Sequence, residues 1–193
     1  MAKANFEKQI AEAVWRTLAK KRWDALKLAD VAKAAKMPLA SLLRDVPAKP
    51  ALIGPMLRLT VGDALSRYKP DRNSHNARDR AFDVTMSWFE ALALRKAAMH
   101  SLYEGLKRDP LALVAAREDI LSAASTLLAL AEADHGRAGL KAIALALAIG
   151  HAIPSWLNDD RDLSKTMASL DGDFSRASDF MKRFCGKSKR ASE

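Results

Sequence analysis

The chain holds one cysteine in 193 residues, Cys185. That excludes an intrachain disulfide and any zinc site built from cysteines, and it suits a reducing compartment. Glycine is also scarce, at 8 residues, and no glycine-rich phosphate loop is present. The four histidines, His75, His100, His135 and His151, are scattered, and none sits in the H-E-x-x-H spacing of zinc hydrolases. The longest apolar run, 142–150, falls far short of the roughly 20 residues that span a bilayer. Residues 1–20 alternate charged and apolar positions, so they lack a signal-peptide core. β-Branched residues are few, which disfavours strands. These absences predict a cytoplasmic protein without integral membrane association, enzyme site, metal or cofactor.

What the chain does have is alanine, leucine and positive charge. It is 49% apolar and 28% charged, with a net charge of +9. That composition is globular and favours an all-α fold. Residues 1–58 hold 12 Lys+Arg against 5 Asp+Glu, so most of the excess lies in the first third. A concentrated basic region points to an anionic partner, and nucleic acid fits a compact patch better than a diffuse membrane attraction does.

Periodicity predicts nine helices. The first covers 6–21, with Asn5 as N-cap and Phe6, Ile10, Val14 and Leu18 on one face. A second covers 28–35. A third starts at Pro38 and ends near Val46, ahead of Pro47. A fourth runs over 50–68, bent or restarted at Pro55. After a polar linker at 69–76, further helices are expected over 77–93, 95–107, 111–133 and 138–153, the last ended or kinked at Pro154. A ninth begins near Asp162. The acids Asp159, Asp160 and Asp162 just before it read as helix capping, with a divalent metal site as the alternative.

Two short helices meeting at Lys36-Met37-Pro38, inside a basic stretch, form a helix-turn-helix pattern. Over residues 10–52 it resembles the TetR family of regulators and aligns without a gap. Val31-Ala32 stand for the family's I-A pair, Ala35 for its alanine, Lys49 for its lysine and Leu52 for its final leucine, and Arg44 fills a commonly basic slot. The resemblance implies an N-terminal three-helix head and a six-helix regulatory and dimerisation body. The expected divisions are 1–49, 50–185 and a frayed basic tail at 186–193. It also implies a homodimer on duplex DNA and a small apolar ligand in the body.

The departures fall in the reading head. Lys36 replaces the turn glycine, Pro38 the serine, Ala40 a glycine, and Leu43 and Val46 the aromatic pair. Asp45 puts an acid where phosphate is expected to lie. The stretches RDRAFDVTMSWFEALALRKAAMHSLYEGLKRDPLAL and WLNDDRDLSKTMASLDGDFSRA are similar to a second group, the TetR-fold accessory proteins of ubiquinone biosynthesis. That resemblance implies an isoprenoid-binding protein with a vestigial head.

On the first reading Lys27, Lys36, Arg44 and Lys49 contact phosphate, while Ser41 and Leu39 reach base edges, Leu39 by apolar contact alone. Met86, Phe89, Met99, His100, Tyr103, His151 and Trp156 line the ligand pocket or, alternatively, fill the core. Leu163, Met167, Leu170, Phe174 and Met181 recur at spacings of three and four, a seam like that of a coiled coil. Together with the small residues Ala142, Ala144, Ala146 and Ala148 it forms a dimer face or completes the monomer core.

Overall fold

A computed structural model describes residues 2–69, 76–160 and 162–185, with side chains described between 4 and 179. The expected tail at 186–193, most of the linker at 69–76 and the Met181 side chain lie outside the described residues. The described residues are all helical apart from turns, with no strand. The helices are α1 (Ala2–Leu18), α2 (Leu28–Ala34), α3 (Leu39–Asp45), α4 (Ile53–Arg67) and α5 (Ala77–Leu92), then α6 (Lys96–Arg108), α7 (Pro110–Ala115), α8 (Arg117–Leu130), α9 (Ala138–Leu157) and α10 (Ser164–Cys185).

Several expected boundaries move, each for a local reason. α1 begins at Ala2, so Asn5 lies within it instead of capping it. Pro38 is the N-cap of α3 and not its first residue, with an extended ψ of 139°. Pro55 does not interrupt α4, which runs unbroken from Ile53 to Arg67. A 3₁₀ turn at Lys49–Leu52 leads into the helix, and Pro55 falls in the first turn, where backbone donors have no helical partner to lose. The helix expected over 111–133 is two. Ala116, at ψ 1°, leaves helical geometry between α7 and α8, with no glycine or proline to signal the break. α8 stops before Asp134 because Glu132 turns left-handed (φ 50°) and the N–H groups of Glu132 and Ala133 close on the carbonyls of Ala129 and Leu128. α9 continues three residues past Pro154. Burial of Ile153 and Trp156 there offsets the proline's cost of about 3 kcal/mol.

The core is continuous from Ile10 in α1 to Leu170 in α10. α1 packs on α2, α4 and α6; α4 packs on α5 and α8; α9 lies between α8 and α10. The first three helices therefore share their core with the body. Trp23, in the turn between α1 and α2, is 1% exposed and rests on Gly105 of α6. Arg58 of α4 bridges Glu7 of α1 and Asp119 of α8, both at 3.0 Å. Arg95 pairs with Asp63 at 2.8 Å and covers the Trp15 ring.

α10 is fastened at its start by Asp159. Its buried carboxylate accepts the Thr166 N–H and hydroxyl, both at 2.7 Å. Burial alone would raise this carboxyl's pKa, but the bonds from Thr166 and the neighbouring N–H groups outweigh that and hold it below the usual range. Lys96 donates to the Asp159 carbonyl at 2.6 Å and sits over Trp156.

The seam on α10 faces inward. Leu170 is 0% exposed, Phe174 meets Phe82 edge-on at 6.0 Å, and Leu163 packs against the core. Leu170 and Phe174 therefore pack within one chain rather than on a dimer face, Leu163 precedes α10 with a left-handed backbone (φ 55°), and Met167 is the exposed member among the described residues. The opposite holds on α9, where Leu140, Ile143 and Leu147 are 38%, 45% and 69% exposed. Among the described helices α9 is the one long and apolar enough to cross a membrane by length and composition, a property the 142–150 run understated. Its inner face, Ala142, Leu145, Ala148, Ala152 and Trp156, is part of the core.

A methyl group at residue 105 would lie 2.2 Å from the Trp23 Cβ, whereas one at Gly62, on the exposed side of α4, meets nothing within 4 Å. Chemical denaturation should accordingly show Gly105→Ala losing about 1–3 kcal/mol from overpacking, and Gly62→Ala gaining up to about 1 kcal/mol from helix propensity.

Candidate functional site

α2, the turn after it and α3 form a helix-turn-helix whose geometry is set from α1. Asp30 accepts the Lys27 N–H at 3.1 Å and pairs with Lys21 at 2.9 Å, which starts α2. The Lys21 ammonium, with the Lys27 N–H, holds the Asp30 carboxyl below its usual range. α2 ends in a Schellman turn: the Met37 N–H reaches the Ala32 carbonyl at 3.0 Å, and the Lys36 N–H reaches the Lys33 carbonyl at 3.1 Å. Lys36 occupies the left-handed position at φ 54°, as the loss of the turn glycine implies. Two side chains of α1 tie down the same turn. Gln9 donates to the Ala35 carbonyl at 2.6 Å and Arg16 to the Ala34 carbonyl at 2.9 Å.

Leu42 of α3 and its C-cap Val46 are buried, and Ser41 is half-buried. Leu39 and Leu43, one turn apart, are 40% and 41% exposed. Arg44 and Asp45 are exposed beside them. α3 therefore offers solvent a leucine pair, one arginine and one acid. Lys27 and Lys36 are exposed too. Lys49 differs: its ammonium donates to the Trp23 carbonyl at 3.1 Å and lies 5.1 Å over the Trp23 ring. That lysine braces the head from within, a role the periodicity could not distinguish from phosphate contact.

The seven residues expected around a ligand pocket are not gathered at one cavity. Met86, Phe89, Met99 and Trp156 are buried in filled core, with Phe89 and Trp156 rings 5.7 Å apart. Tyr103 is half-buried under Lys107, and His100 is exposed. His151 is exposed and hydrogen-bonds Asp173 at 2.7 Å. These four side chains lie in the hydrophobic core and none of them lines the cavity described next.

A cavity of about 220 Å³ lies elsewhere, between α5, the end of α8, α9 and α10. Leu128, Leu145 and Phe174 wall it, and alanines such as Ala81, Ala144 and Ala148 leave it open. Arg78, Lys141 and Asp173 are its charged members. His151 approaches it through Asp173. The sequence signal that was available is the alternation of alanine along 142–148, which read as close helix packing. It marks the wall of a void as well.

Among the described residues no group of three metal-ligating side chains occurs, and the acids ahead of α10 act on backbone: Asp159 as above, and Asp162 on the Ser164 N–H at 3.3 Å.

The fold has a solved counterpart. The chain is similar to the crystal structure of a TetR transcriptional regulator from Rhodococcus sp. RHA1, with a TM-score of 0.62 and 17% identity, over 90% of this chain and 96% of that one. The likeness shows a TetR-like fold. No protein-family model matches the sequence, and no curated protein matches it.

A left-handed lysine costs about 1–2 kcal/mol, while glycine costs about 0.5–1 kcal/mol in unfolded-state freedom. Lys36→Gly should therefore raise the denaturation midpoint slightly, by up to about 1 kcal/mol in stability, where Lys33→Gly within α2 should lower it by about 1 kcal/mol.

Proposed function

We propose that this protein is a one-component transcriptional regulator that binds duplex DNA as a homodimer. Residues 1–49 serve as the DNA-binding unit and 50–185 as the effector and dimerisation unit, although the two share one core. The observation that carries this reading is the exposed helix-turn-helix within the basic first third of the chain. Lys27, Lys36 and Arg44 meet phosphate, and Ser41 and Leu39 face base edges. The dimer pairs α9 with α9 through Leu140, Ile143 and Leu147, which replaces the α10 seam as the proposed contact. Such a pairing is isologous, and each side chain acts twice. An apolar effector in the body cavity shifts the relative placement of the two heads, which is a coupling between two sites.

The exposed pair Leu39 and Leu43, with Asp45 beside it, favours a second reading. On that reading the head no longer selects DNA sequence, and the body binds a lipid as an accessory protein. Selection from random duplex DNA separates the two. The regulator reading expects an enriched motif, binding that weakens about 10³-fold or more between roughly 50 and 200 mM salt, and an Asp45→His variant that binds about fivefold tighter, since removing a like charge is worth of order 1 kcal/mol. Sequence-blind binding with no enriched motif would reject it in favour of the second.

Light scattering tests the dimer. Leu147→Glu should yield a folded monomer. Leu170→Glu should instead lose the fold, because it buries an unpaired carboxylate inside one chain at a cost of several kcal/mol. A wild-type monomer at tens of micromolar rejects the α9 pairing.

A further inference from the structure

The three charged side chains of the body cavity differ in how their charge is met. Arg78 donates to Asp171 at 2.6 Å and to Ser175 at 3.0 Å, and pairs with Asp79 at 3.3 Å. Asp173 is held by Arg176 at 2.5 Å and by His151 at 2.7 Å. Each of those two has its counter-ion. Lys141 does not. Its ammonium donates to two backbone carbonyls, Ala133 at 2.8 Å and His135 at 2.6 Å. No carboxylate among the described residues pairs with it. Two of its three N–H donors are thus used, and no described residue accepts the third.

Position adds to this charge. Lys141 lies near the start of α9, where the helix dipole is already positive and cations are disfavoured. α9 has no acid in its first turn to offset it. The side chain is half-buried beside Leu128, Leu145, Ala144 and Phe174. A partly desolvated cation without a counter-ion, set against apolar walls, favours an anion that brings an apolar body with it.

We infer that this cavity takes a small amphiphilic carboxylate, its head on the third N–H of Lys141 and its hydrocarbon tail against Leu145, Phe174 and Leu128. This rests on the cavity being the effector site proposed above, and it sets the effector's chemical class. The volume of about 220 Å³ is below the roughly 300–1,000 Å³ of sites for drug-sized ligands, which limits the tail to a short chain. The paired state of Arg78 and Asp173 leaves one anchoring charge and so one head group.

Calorimetric titration of the full chain with sodium octanoate, 1-octanol and octylammonium tests the inference. Octanoate should bind at least tenfold tighter than octanol, and octylammonium should bind weakest. Lys141→Met should lower octanoate affinity to that of octanol and leave octanol unchanged, while Lys141→Arg should keep the preference. The helical signal and denaturation midpoint of both variants show whether losing the bonds to Ala133 and His135 has unfolded the turn. Ala148→Phe, which fills the cavity, should abolish binding of all three probes. Equal affinity of the wild type for octanoate and octanol overturns the carboxylate inference and leaves the cavity reading standing. No binding of any probe at millimolar concentration, or binding that Ala148→Phe does not change, overturns the cavity reading and the inference with it.

Discussion

The seat of Trp23 on Gly105 governs how the first three helices relate to the rest. The indole is buried where the α1–α2 turn meets α6, and the glycine is there because no Cβ fits. Lys49 closes the same seat from the far side of the helix-turn-helix, through the Trp23 carbonyl and ring. Ser101 of α6 adds a hydroxyl bond to the Lys21 carbonyl at 2.8 Å. The head cannot tilt on α6 without unpacking an indole, so displacement of α6 carries the head with it. Packed interfaces of this kind shift between discrete arrangements rather than bending smoothly.

Charge is distributed by the same logic. The first 58 residues are strongly basic, yet part of that charge is spent inside the fold. Arg16 satisfies the end of α2, Lys49 braces Trp23, and Arg58 bridges α1 and α8. What remains exposed near α3 is smaller than the raw count suggests, and it surrounds a leucine pair. The exposed leucines offer apolar contact alone, and the charged groups exposed on α3 beside them are Arg44 and Asp45.

The body shows how small residues do two jobs. Ala142 and Ala148 are buried on α9, which packs on α8 and α10, and Ala144 and Ala148 line the cavity beside that packing. The side chains that a pocket in the TetR-like body was expected to use, Phe89 and Trp156 above all, instead fill the centre, because two large rings in contact bury more apolar surface than either would around an open cavity.

The all-helical class and the position of the helix-turn-helix were legible from the sequence, because helical period, capping and turn chemistry are local, whereas Lys36 was placed at the turn only by the family resemblance. Which cations stay free was not legible, since Lys49 and Arg16 find their partners 26 and 18 residues away. Nor was the direction of the α10 seam. A spacing of three and four puts Met167, Leu170 and Phe174 along one side of α10, but whether that side meets α9 or another chain depends on packing, and Leu163 falls ahead of the helix. The break at Ala116 carried no glycine or proline, and the cavity beside Lys141 exists only where four helices come together. Local order follows from short-range chemistry along the chain. The burial of a particular side chain, and the isolation of a particular charge, arise from contacts between segments distant in sequence, and the tertiary structure alone decided those.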